Sequence, residues 1–234
     1  AKQMKVIRSL PFEEGSDITR YFELLPPSPL RTEYMQMLDC QDADERHRLQ
    51  EALRPQVVAG AINANIMTTL DRDRDRKGIE LPLGDSDALS AARGFAKSTV
   101  DGSLILSAGM NPRLFAYIAT LDEFQPDENG YIKKRLVLKV SDYRSADVQS
   151  KVLAKKGVWV SEYRIESGLN CGGHAFATAG LLMGPILEEF KAKRAQLADE
   201  LMVIFNKARE KAGLFTLEKT LTTHLTYQGG LGTA

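Results

Sequence analysis

A chain of 234 residues with 43% hydrophobic side chains can bury a sizeable core, and its length suits one α/β domain or a domain with an appendage. Lysine plus arginine and aspartate plus glutamate are both 31, so the formal net charge is zero; this balance gives no electrostatic reason to expect nucleic acid or an anionic membrane as a partner. Cys40 and Cys171 make no disulfide framework and fit a reducing, cytoplasmic setting, and no apolar run approaches the ~20 residues of a membrane-spanning helix.

The start, A-K-Q-M-K, lacks a signal-peptide pattern and an initiator Met, and the chain ends at G-G-L-G-T-A, so a processed or partial chain is expected. Residues 1–53 read as a helical lead-in or cap. Lys5 to Leu10 suggests a short strand, and Ser16 and Asp17 can cap a helix through Leu25 that Pro26, Pro27 and Pro29 stop. Two short helices are expected at 31–39 and 43–53.

From 54 to 234 the pattern alternates between buried strands and helices. Q-V-V-A-G-A-I-N-A-N-I-M begins as a strand and ends in Gly60, Asn63 and Asn65. D-R-D-R-D-R-K-G (71–78) reads as a solvated connection, and Asp85 or Ser86 can cap a helix to about Lys97. S-L-I-L-S-A-G-M (103–110) is a strand, and Pro112 opens a helix to about Leu121. R-L-V-L-K-V-S-D (135–142) is a strand, Ser145 to Lys155 a helix stopped by Gly157, and V-W-V-S-E-Y-R another strand. A helix from about Pro185 to Ala212 and a strand within 220–232 complete the series.

Strands separated by helices imply a parallel sheet, because parallel neighbours need crossover connections. Small or polar residues end nearly every strand, which favours a (β/α) TIM-barrel-like domain over a doubly wound sheet. No G-x-G-x-x-G follows a strand directly, which weighs against a dinucleotide-binding Rossmann domain.

The chemistry candidates cluster at strand ends. His174 stands in C-G-G-H after a strand, with Gly172 and Gly173 beside it. Such glycines let a ligand approach backbone, and a neutral imidazole can take an acidic C–H proton near neutral pH; Glu162 or Glu166 could orient the ring, and a structural histidine is the alternative. Cys171 and His174 have C-x-x-H spacing but no second matched pair, so no metal is expected. Lys139 interrupts an apolar strand, either snorkelling outward or aimed at an anionic or electron-rich ligand. Gly229, Gly230 and Gly232 end the last strand, as a phosphate-cradling turn or a plain one. His224 alternates along that strand and reads as structural.

V-S-D-Y-R-S-A-D-V-Q-S-K-V-L-A-K-K-G-V-W-V-S-E-Y followed by G-L-N-C-G-G-H resembles the centre of nitronate monooxygenases and related FMN-dependent enoyl-acyl-carrier-protein reductases. A-I-N at 61–63, L-L-M-G-P-I-L and Q-G-G-L-G resemble further family segments in the same order. Asn170 stands where the family often has glutamate, and no first, second or final barrel strand is recognisable, so the barrel is expected to be incomplete. The resemblance implies FMN as cofactor, a small carbanion-like substrate, and His174 as the catalytic or substrate-positioning histidine. It places Asn63, Lys139, Gly172 and Gly173 near the flavin or substrate, and Gly229, Gly230 and Gly232 at the FMN phosphate. An NAD(P)H-dependent flavin enoyl reductase, a non-catalytic barrel-derived binding or scaffold module, and a lyase using Lys139 as a Schiff base are the alternatives.

Overall fold

The computed structural model describes residues 2–60, 62–66, 71–107, 109–166 and 183–228. The chain forms two compact units, Ala1–Gly60 and Ala61–Ala234. The first holds α1 (Lys2–Ser9), α2 (Asp17–Glu23), α3 (Pro29–Asp39) and α4 (Ala43–Leu53). Its core is Ile18, Phe22, Tyr34, Met37, Leu53 and Val57, with Phe22 and Tyr34 stacked at 5.3 Å between ring centroids. Arg54 donates to the carbonyls of Arg8 and Leu10, and Arg8 donates to that of Val57, closing the ends of this unit on each other.

The strand expected at Lys5–Leu10 is a helix. Met4, Ile7 and Leu10 recur every third residue and pack together against the core, while Val6 is half exposed; helical spacing therefore prevails over a short apolar run that also suits a strand.

Among the described residues the second unit is an α/β fold with five strands, all parallel, in the order β1-β2-β3-β4-β5. They are β1 (Ile62–Ile66), β2 (Gly102–Leu106), β3 (Lys134–Val140), β4 (Val160–Glu166) and β5 (His224–Gln228). Between them run α5 (Asp87–Lys97), α6 (Pro112–Ile118), α7 (Tyr143–Ala154) and α8 (Met183–Lys211). Among the described residues no helix is long and apolar enough to cross a membrane.

The two faces of the sheet differ sharply. One presents Ala64, Ile66, Leu104, Leu106, Leu136, Leu138, Val140, Tyr163 and Ile165 to a core that also takes Leu89, Phe115, Leu153, Phe190, Leu201 and Phe205 from α5 to α8. Each fully buried Leu, Ile, Val or Phe among them contributes about 1.5–3 kcal/mol of transfer free energy. All four helices thus cover the same face, as right-handed crossovers require when strand order never reverses. Strand alternation puts Asn63, Asn65, Ser103, Arg135, Lys139, Glu162, Arg164, Glu166, His224, Thr226 and Gln228 on the other face, with the buried Ile105 and Val137 among them.

Caps fix where helices begin. Asn111 and Asp142 accept from the backbone N–H groups of Leu114 and Ser145 and start α6 and α7. Gly157 ends the turn after α7 with φ +73°, and Val158 N–H returns to the Leu153 carbonyl. For α5 the expected cap, Ser86, makes no side-chain capping bond. Asp71 does that work from the loop after β1: it accepts from Ala88 N–H at 3.0 Å, from Arg113 at 2.9 Å and from Asn111 at 3.2 Å. The acid–base run at 71–78 is therefore more than a solvated connection, since its first aspartate binds the starts of α5 and α6 together.

Candidate functional site

A parallel strand aims its last residues at the edge where α/β folds bind ligands. On the polar face of this sheet that edge carries Asn65, Ser107, Lys139, Glu166 and Gln228. Ser107 donates to Asn65 Oδ1 at 2.8 Å, joining β1 to the residue after β2. Lys139 Nζ lies 2.7 Å from Glu166 Oε2, joining the ends of β3 and β4, and these side chains are only 13% and 8% exposed.

A second ion pair runs beside the first. Arg164 is directly across from Lys139 in the β3–β4 ladder and donates to Glu162 from two nitrogens, at 2.9 and 2.8 Å. Glu162 also accepts from the Thr226 hydroxyl of β5. Two cations and two carboxylates are thus interleaved, Glu-x-Arg-x-Glu on β4 with lysine from β3. Partly removed from water, they interact more strongly than surface pairs would. The β3–β4 register shifts between Leu136 and Val137, and an irregularity of this kind re-aims the side chains beyond it.

The sequence-derived residues divide into three groups. His174, Gly172, Gly173, Gly229, Gly230 and Gly232 lie outside the described residues, as does Cys171. Lys139 is at the C-terminal edge, and it neither snorkels outward nor stands alone, because Glu166 holds it. Asn63 sits inside β1 rather than after it, level with Ser103 and Arg135. Lys139 is four residues farther along β3 than Arg135, about 13 Å at the rise of a parallel strand. Asn63 and Lys139 therefore share a face but not an end; Asn65 is the asparagine nearer the edge. Sequence reasoning gives Glu166 no role beyond orienting His174. Its signal was the alternation of Glu162, Arg164 and Glu166, which puts three charges on one side of a strand whose neighbour carries Lys139 on the same side.

The opposite edge has an open cleft of about 780 Å³ lined by Tyr131, Arg135, Trp159, Ser161, Phe215 and His224, among others. Its Arg135 is held by Asp101 at 2.9 Å, and the Trp159 indole donates to the Thr222 carbonyl. This is the N-terminal edge, whose side chains in α/β folds serve stability more than catalysis. Among the described residues no three His, Cys, Asp or Glu side chains gather to hold a metal ion.

Comparison with family models, curated proteins and solved structures finds no match to this chain.

Proposed function

We propose that the second unit is a (β/α)-barrel-type domain of a cytoplasmic FMN-dependent oxidoreductase that acts on a small carbanion-forming substrate. The observation carrying this reading is the partly buried Lys139–Glu166 pair at the C-terminal edge of an all-parallel sheet. Strand order without reversal, helices on one face and the buried branched side chains Ile105 and Val137 on the other are features that consecutive units of a closed barrel would have. The G-G-H after β4 and the G-G-L-G after β5 stand, in chain order, where a barrel keeps its ligand loops.

In this reading Lys139 holds the electron-rich rim of the flavin and His174 positions or deprotonates substrate. Gly172 and Gly173 let the ligand approach, and Gly229, Gly230 and Gly232 cradle the phosphate. FMN, when bound, supplies the two-electron acceptance that no side chain can provide. The test is the visible spectrum of the purified protein after incubation with FMN and removal of the excess. Flavin bands near one equivalent support the reading, and their absence overturns it. With flavin bound, His174→Ala should lower turnover and leave the bands intact.

A non-catalytic binding module is the second reading. The observation favouring it is that Glu166 already neutralises Lys139, as a purely structural pair would. A colourless protein that takes up no FMN is its expected signature.

A further inference from the structure

The Lys139–Glu166 pair has a chemistry that requires no cofactor. We infer that Glu166 is a general base that removes the α-proton of a small enolisable carbonyl compound, and that Lys139 binds the oxygen on which negative charge develops. This rests on the carbanion-forming substrate of the proposed function and not on its flavin.

The geometry supplies what the reaction needs. The carbonyl oxygen and α-carbon of an enolisable group are two bonds apart. An ammonium and a carboxylate in direct contact at 2.7 Å, on neighbouring strands, present a donor and an acceptor side by side, at about the spacing of those two substrate atoms. Both side chains spring from strands, which hold a constellation more tightly than loops do. Both are largely withdrawn from water, so the ammonium acts strongly on an oxyanion beside it. The arginines on this face cannot substitute for Lys139, because Arg164 is committed to Glu162 through two nitrogens and Arg135 pairs with Asp101 at the opposite edge. A buried ion pair is also weak as a stabilising device, since desolvation offsets most of its attraction.

The step balances without an oxidant. The α C–H bond breaks and its electron pair moves through the π system to the carbonyl oxygen. The proton passes to a Glu166 oxygen, while Lys139 keeps its protons and donates a hydrogen bond to the enolate. Reversal in D2O returns a deuteron.

The experiment follows loss of α-proton signals by NMR for pyruvate, dihydroxyacetone and cyclohexanone, each incubated in D2O with the whole protein, with and without added FMN. Wild type should accelerate exchange of at least one compound above buffer. Glu166→Gln should lower that rate by about 100-fold or more, the usual worth of a positioned base, and Lys139→Met should lower it as well, each compared at a temperature where its circular dichroism matches wild type. No exchange of any of the three by wild type, or undiminished exchange in Glu166→Gln, overturns the inference. If Glu166→Gln does not fold, Glu166→Asp decides: a reduced rate supports the assignment and a wild-type rate overturns it. Exchange without any flavin binding supports the base and sinks the oxidoreductase reading. Flavin binding and turnover with undiminished exchange in Glu166→Gln does the reverse.

Discussion

The Tyr163 hydroxyl of β4 lies 2.8 Å from the Ser150 hydroxyl of α7, with both groups buried. Burial pushes the Tyr163 phenol up to about 12, against a smaller opposing effect of the Ser150 hydrogen bond. An acid with a raised folded-state value contributes stability below its unfolded pKa, near 10, and loses it as pH rises toward the folded value. Stability should therefore fall between about pH 10 and pH 12. Tyr163→Phe should cost about 0.5–1.5 kcal/mol at neutral pH, the net worth of one hydrogen bond, and should make the alkaline loss shallower. Urea denaturation at neutral and alkaline pH measures both; an unchanged alkaline slope would mean that Tyr163 ionises freely in the folded protein.

Asp71 should show the opposite dependence. Burial pushes its carboxyl up, but the hydrogen bonds from Ala88 N–H, Arg113 and Asn111 together outweigh burial and hold it below the usual carboxylate range. A depressed folded-state value contributes stability above the unfolded pKa, near 4, and loses it as pH falls. Asp71→Ala removes the acceptor from α5 and strands the Arg113 donor, so it should cost about 1–3 kcal/mol at neutral pH. The cost should shrink in acid, where wild type has already lost the contribution. Thermal unfolding of both proteins across the acid range tests this.

Gly102 has no room for a side chain. A Cβ there would lie 2.0 Å from the Ile62 carbonyl oxygen, the backbone of the residue paired with it at the start of β1. Backbone cannot swing aside as a flexible side chain can. Gly102→Ala should push β1 from β2 and cost about 1–3 kcal/mol, the range for overpacking. Amide exchange should accelerate first along β1, an edge strand among the described residues, before the β3–β4 ladder responds.

Where sequence reading succeeded, the signal was local. Ala146, Ser150, Leu153 and Ala154 recur at helical spacing and form the buried stripe of α7, and Leu136, Leu138 and Val140 alternate along β3 toward the core. Where it failed, the deciding partner was distant. Nothing within the 71–78 run says that its first aspartate caps a helix beginning 16 residues later, at Asp87. Lys139 reads as an outward or ligand-facing cation because its carboxylate is on the next strand. Asn63 and Asn65 read as the polar end of a strand, yet they lie within β1 on the face opposite the helix-packed core, where polar side chains are compatible with a strand. Composition does not disclose which side of a sheet is polar; it requires strand register.

The Lys139–Glu166 pair separates stability from chemistry. Removing one partner leaves the other charge partly buried and uncompensated, so Lys139→Met alone or Glu166→Leu alone should be strongly destabilising, by about 3–5 kcal/mol. The double variant Lys139→Met/Glu166→Leu removes both charges and adds apolar volume, so most of that loss should return, as for other buried pairs replaced by hydrophobic residues. A structural pair predicts nothing further: the double variant would be stable and otherwise like wild type. A base paired with an oxyanion-binding ammonium predicts that the double variant regains stability in urea denaturation yet exchanges no α-protons. Stability and exchange recovering together would assign the pair to the sheet, and stability recovering alone would assign it to the substrate.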